Sequence, residues 1–369
     1  MRPDQKANYK VFRNVVIDFG ADNSGNSDAS IAIQAAVTAG VSNGGPLRDA
    51  NEMGTTGQPA VVYIPRGTYL LCSSLQLFLG TVVVGDPLDP PVLKIASDFH
   101  SAFIVMAKDH SYGGTDNFFV GFKNVVIDST GVFPGQALTL ADWTVSQATQ
   151  LTNVLFKMPS GSSHVGLSTF SGPNSNLILN DLSFHGGLIG MNLAGQQWVL
   201  KNITFTDLDT GVMATAFDLV LLGCHWQNVR VGVDAQSTSG SLTVVDSSGN
   251  GVFWLVKSHD SSSAAHSIIL ENVRISQGAT TVVVGDKKEL TGDVRGVWIR
   301  GNEVSVLALE SLCRAERENV DRLTWSIMPA VPRRKHRQVH KCTRVGHSAE
   351  SSTAGRRKPG LLHHAAPNV

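Results

Sequence analysis

The chain has 369 residues, of which 42% are hydrophobic and only 16% charged, with 36 glycines against 14 prolines. A charged fraction well below one quarter, with so much glycine, argues against coiled coils, helical bundles and disordered chains and favours a strand-rich, turn-rich protein long enough to bury a large core. The 30 basic and 30 acidic side chains cancel, but the cancellation joins two unlike segments: residues 1–304 carry 18 basic and 25 acidic groups, a net of −7, and residues 305–369 carry 12 and 5, a net of +7.

In chain order, residues 15–17 (Val15, Val16, Ile17) read as a strand and residues 20–25 as a turn. Residues 27–37 place apolar side chains at Ala29, Ala32, Ile33, Ala36 and Val37, which is helical spacing, with Ser27 or Asp28 as N-cap. Residues 40–59 form a long polar loop, and residues 60–70 a strand, turn and strand. From there the chain repeats. A polar residue followed by apolar positions recurs at Asn124, Asn153, Asp181, Asn202, Gly223 and Asn272, with spacings of 29, 28, 21 and 21 over the first five. Strands opened by Gly190, Gly211, Gly232 and Gly251 keep spacings of 21, 21 and 19. Third strands begin at Trp198, Leu219, Leu242 and Ile268.

Three short strands per unit cannot bury their apolar faces alone, but they can when stacked coil on coil. Residues 1–304 are therefore expected to be all-β, a single-stranded right-handed parallel β-helix. The helix at residues 27–37 would cap its open N-terminal end. The recurring asparagines suit a corner: Asn tolerates a left-handed backbone and can ladder with the Asn of the next coil. Residues 305–369 carry two basic clusters (Arg333, Arg334, Lys335 and Arg356, Arg357, Lys358) without apolar periodicity. They read as a basic interaction tail, as a disordered linker, or as sequence from a wrong frame or unspliced intron; the abrupt change of composition favours the last, so no nucleic-acid partner is expected.

The opening Asp18-Phe19-Gly20-Ala21-Asp22, the helix Asp28-Ala29-Ser30-Ile31-Ala32-Ile33-Gln34, and Val62-Tyr63-Ile64-Pro65-Arg66-Gly67-Thr68-Tyr69 are similar to the start of the pectate-lyase-like superfamily of rhamnogalacturonase and epimerase-like proteins. Asn8-Tyr9-Lys10, Gly85-Asp86-Pro87, Asn117-Phe118-Phe119, Gln147-Ala148-Thr149 and Gly195-Gln196-Gln197 extend the resemblance to the N-terminal half of fungal exo-β-1,3-glucanases of glycoside hydrolase family 55. The resemblance implies two β-helical domains side by side, inverting hydrolysis of β-1,3-glucan, an extracellular location, and a catalytic glutamate in the second domain. On that basis the present chain is expected to lack the catalytic acid and to be inactive alone. Non-catalytic polysaccharide binding, or action on pectin or rhamnogalacturonan, are the alternatives.

Inverting hydrolysis needs a protonated carboxyl and a base on opposite sides of the bond, and no motif here spells that pair. Glu52, Glu271, Glu289 and Glu303, the four glutamates before residue 305, read as surface residues. Asp181, Asp207, Asp209, Asp218, Asp234 and Asp246 read as turn and strand-end residues. His164, His185 and His225 lack partners at ligand spacing, and the four cysteines form no C-x-x-C pair, so neither metal nor cofactor is expected. No run of eighteen apolar residues and no apolar N-terminal leader occurs, so no membrane partner is expected, and a monomer is. Sugar contact falls to Trp143, Gln147, Gln196, Gln197 and Trp198: aromatic faces suit pyranose rings, and an amide can bond two hydroxyls at once. Strand alternation predicts that Gln196 and Trp198 share a face and that Gln197 points the other way.

Overall fold

In the structure, a computed structural model, residues 9–301 are described except for 41–47, 49–57, 111, 170–173, 175–176, 236, 238–239, 260–266, 277–278 and 286. The expected tail at residues 305–369 and most of the expected polar loop lie outside the described residues. Among the described residues the chain winds as a parallel β-solenoid of about nine turns with one α-helix. Each coil visits three sheets in turn. The first contains Phe12–Asn14, Ala60–Ile64, Thr81–Gly85 and Ser241–Val245. The second contains Thr68–Leu71, Val92–Ile95, Thr204–Thr206 and His225–Gln227. The third contains Phe103–Met106, Thr139–Asp142, Val165–Ser168, Val231–Asp234 and Trp254–Ser258. Longer strands such as Gln150–Lys157 and Leu177–His185 run from the first sheet into the second, and Ile189–Lys201 and Thr210–Leu222 from the third into the first.

Strand register reproduces the repeat. Val154 lies opposite Val125 and Leu182, Ser183 opposite Thr204, and Thr204 opposite His225. The corner between the first and second sheets is one residue with positive φ in each of seven coils: Asn124, Asn153, Asp181, Asn202, Gly223, Asp246 and Asn272. Their side chains ladder as expected: Asn153 Nδ2 donates to Asn124 Oδ1 at 3.0 Å, Asn202 to Asp181 at 2.7 Å and Asn272 to Asp246 at 2.6 Å. The next corner repeats the device, with Asn228 donating to Asp207 at 3.1 Å.

Inside, Phe156, Phe184, Phe205 and Trp226 from four successive coils stack face to face, with centroids 4.6, 5.4 and 5.8 Å apart. Glycines of the third sheet make room for them. A Cβ on Gly211 would sit 2.7 Å from Trp226 Nε1 and 2.6 Å from the Gly232 carbonyl, and one on Gly190 2.8 Å from the Phe205 ring. Gly251 does not belong to this column, contrary to the sequence spacing. Val231 pairs with Trp254, because the intervening coil is two residues longer, and Gly251 instead takes the left-handed corner conformation (φ 67°).

Near the N-terminus, extended structure wins over the expected elements. The first strand is Phe12–Asn14, and residues 15–19 turn. Ser24–Asp28 pairs with the strand Thr68–Leu71, so the helix starts later, at Ser30–Thr38. Its N-cap is Ala29, while Asp28 Oδ1 accepts the backbone N–H groups of Ser30 and Cys72. Ile33, Ala36 and Val37 are buried as expected. Two buried arginines satisfy the helix C-terminus: Arg13 donates to the carbonyls of Ala36 and Ala39, both at 2.6 Å, and Arg48 to that of Val37 at 3.2 Å. Burial pulls the Arg48 guanidinium down to about 10.

Candidate functional site

The three sheets present different outer faces, and the third sheet presents a polar one. Register aligns Gln76, Met106, Asp142, Ser168, Asn192, Met213, Asp234 and Lys257 in one column across eight strands. In Ile189–Lys201, Met191 and Leu193 are fully buried and Asn192 between them is only half-buried, so alternation turns this column outward there, although Asp142 and Ser168 within it are themselves buried. Asp142 accepts from Thr144 N–H at 3.1 Å and from the Thr144 hydroxyl at 2.6 Å. Lys257 Nζ lies 5.6 Å from the Trp254 ring centre. The Asn192 Oδ1 atom is buried and finds no donor among the described residues.

Where this sheet turns into the first, the chain presents amides and aromatic rings. Gly195 adopts φ 110°, and a Cβ there would collide with Asn174 Oδ1. Both Gln196 and Gln197 are exposed beyond it. Register pairs Gly195 with Ala216 and Gln197 with Asp218, which sets Gln196 beside Phe217, a ring that is 54% exposed. Gln147 occupies the corresponding corner of an earlier coil: Gln147 and Gln196 precede Thr152 and Lys201 by the same number of residues, and both of those pair with Asn180. Gln147 is exposed and accepts from the Ser146 hydroxyl.

Two expectations are corrected here. Trp143 and Trp198 are 0% and 1% exposed, so neither offers a face to sugar. Trp143 lies in a run, residues 140–146, that is buried throughout, and Trp198 Nε1 donates to the Ala194 carbonyl at 3.1 Å. Nor do Gln196 and Trp198 share a face. The turn at Gly195 interrupts alternation, leaving both glutamines outside. The residues that sequence reasoning missed, Asp142, Asn192 and Lys257, had a signal: with Asp234 they fill equivalent positions of third-sheet strands, Ser168 and Met213 lying between them.

Carboxylate geometry limits what this face can do by itself. Asp142 and Asp234 lie four coils apart, about 19 Å at a strand spacing of about 4.8 Å, whereas inverting hydrolysis needs about 6.5–9.5 Å. The remaining aspartates hold structural posts. Asp207 accepts from Asn228 and lies 3.4 Å from His185 Nε2, and Asp209 makes a two-point pair with Arg230, which holds its carboxyl below the usual range. They line a cleft of about 430 Å³ with Gly187 and Leu188 on a different corner. Glu271 is exposed, Glu289 pairs with Lys287 at 3.2 Å, and Glu52 and Glu303 lie outside the described residues. His164 is buried between the Ser129 hydroxyl and the Phe133 carbonyl. Among the described residues no group of three or more His, Cys, Asp or Glu side chains could hold a metal ion, and no helix is long and apolar enough to cross a membrane.

The family model for rhamnogalacturonase A/epimerase, pectate lyase-like proteins matches residues 12–234, which contain most of these coils. The chain belongs to that family. As a member of it, the chain is 31% identical over 316 residues to a probable glucan endo-1,3-beta-glucosidase of Arthroderma benhamiae, covering 80% of this chain and 35% of that protein. It is 29% identical over 317 residues to a glucan 1,3-beta-glucosidase of Cochliobolus carbonum, covering 80% and 40%. The chain thus spans between a third and two fifths of the length of these relatives. Among solved structures, an iota-carrageenase complexed to iota-carrageenan fragments aligns over 68% of this chain and 57% of that one, at 16% identity and a TM-score of 0.43.

Proposed function

We propose that the outer face of the third sheet and its corner glutamines form one wall of a cleft that holds a β-1,3-glucan chain. In this reading the wall orients the sugar for inverting hydrolysis, and the general acid comes from outside the described residues. One observation carries the reading: Gln196 and Gln197 emerge together beside the exposed Phe217, at the rim of the third sheet's outer face. A carboxamide donates and accepts at once, which suits adjacent sugar hydroxyls, and a ring face covers the apolar side of a pyranose. The two relatives with glucan 1,3-beta-glucosidase names support this choice of glycan. An extracellular site of action follows, because such polymers lie in cell walls.

The test is retention of the purified chain on insoluble β-1,3-glucan, with glucose release from laminarin measured in parallel. Retention is expected, and Gln196→Ala and Phe217→Ala should each weaken it by roughly tenfold, the effect of one lost contact worth about 1.4 kcal/mol. Unchanged retention in both variants refutes the wall. Retention without glucose release identifies the chain as the binding partner of a separate acid. Digestion of rhamnogalacturonan in place of laminarin moves the substrate class.

A further inference from the structure

The first sheet has an outer face of the opposite kind. Register aligns Ile178, Val199, Val220, Thr243, Ile269 and Ile299 in one outward column over six strands. Ile178 and Ile299 at its ends are 63% and 65% exposed. In the neighbouring outward column, Lys201, Leu222, Val245 and Glu271 occupy successive strands. An ordered apolar surface of this length suits an interface.

The charges say what covers it. Lys201 and Glu271 are exposed, and neither forms a salt bridge among the described residues, although Lys201 is near enough to Asp181 to help lower its carboxyl pKa. They stand symmetrically about the boundary between the Leu222 and Val245 strands. A twofold axis laid along the strands at that boundary returns each outward column onto itself in a second copy. It places Lys201 of one chain against Glu271 of the other, twice, and Val199 over Ile269, Val220 over Thr243 and Ile178 over Ile299. We infer that the first sheet is a face-to-face dimer interface between two copies of this chain, in place of the monomer expected from the sequence. The footprint, about 29 Å by 13 Å from strand spacing and rise, is on the order of 400 Å² per copy, about half that of a standard complex. The dimer is therefore of the weak, concentration-dependent class.

Sedimentation velocity of the full chain from about 1 to 200 μM tests this. The expected result is a reversible monomer–dimer equilibrium that Val220→Lys abolishes and Lys201→Glu weakens by roughly tenfold, about 1.4 kcal/mol. Lys201→Glu combined with Glu271→Lys should restore it, with circular dichroism unchanged in all variants. A monomer at every concentration, a dimer indifferent to Val220→Lys, or a charge swap that fails to rescue would each overturn the inference. So would a monomer whose glucan retention falls with Val220→Lys, since the face would then belong to glycan.

Discussion

At the residue scale, stability rests on groups whose conformations few other residues accept. Asn153 holds φ 53° and donates to Asn124 in the coil before it. Alanine would lose that bond and incur the left-handed penalty, so Asn153→Ala is expected to cost about 1–3 kcal/mol in urea unfolding. Asn153→Gly keeps the backbone and should cost less, which separates the ladder from the turn. His164 supplies a pH dependence. Burial holds its pKa below 6.5, opposed by the hydrogen bond to the Phe133 carbonyl. Since that carbonyl can only accept, Nε2 carries the proton and Nδ1 accepts from Ser129. The unfolded chain therefore takes up a proton first. The contribution is complete above about pH 6.5 and is lost as pH falls below it. His164→Gln should flatten the acid limb of a melting-temperature profile over that range; an unchanged slope would assign the limb to other groups.

At the scale of elements, the close approach of the glycine column to the aromatic stack decides which strands can sit opposite each other. Gly211→Ala forces a methyl against backbone as well as Trp226. A loss of about 2–3 kcal/mol is expected, together with altered near-ultraviolet circular dichroism from the stacked rings; a wild-type spectrum and midpoint would show that the column tolerates a Cβ. Much of this layer was legible in the sequence. The spacing of Gly190, Gly211 and Gly232 and of the corner asparagines follows directly from stacking identical coils. What was not legible depended on departures from the period. The longer coil before Trp254 displaced Gly251 to a corner, and pairing of Ser24–Asp28 with Thr68–Leu71 drew residues out of the helix. The roles of Arg13 and Arg48 rest on contacts with residues 10–33 positions distant in the chain, which no local pattern announces.

Over the whole molecule, one repeating coil yields faces of different chemistry, since each outward position is free to vary while inward ones are fixed by the core. The polar column of the third sheet and the apolar columns of the first arise from the same alternation. The candidate site was therefore half readable. Gln147, Gln196 and Gln197 stood out by motif, and coil register brings them to one corner. Trp143 and Trp198 misled because an aromatic within a few residues of a glutamine looks like a sugar platform until burial is known. Stability should likewise be distributed along one dimension, because each coil contacts mainly its neighbours. Hydrogen exchange is expected to be slowest in the coils carrying the aromatic stack, residues 150–234, and faster toward both ends. Uniform protection along the solenoid would contradict this.

The last coils end in a change of direction. Lys287–Thr291 pairs antiparallel with Thr280–Val284, and Val294–Arg300 antiparallel with Ser267–Ile275. A parallel solenoid is in principle a template for its own extension: any exposed terminal coil invites another chain to continue the stack. Two reversed strands laid over that edge present the wrong polarity and the wrong hydrogen-bond spacing to an incoming parallel coil. Among the described residues, then, the edge left by the last parallel coil is partly covered by strands that an incoming parallel coil could not extend, a device that disfavours end-to-end stacking of a highly repetitive protein.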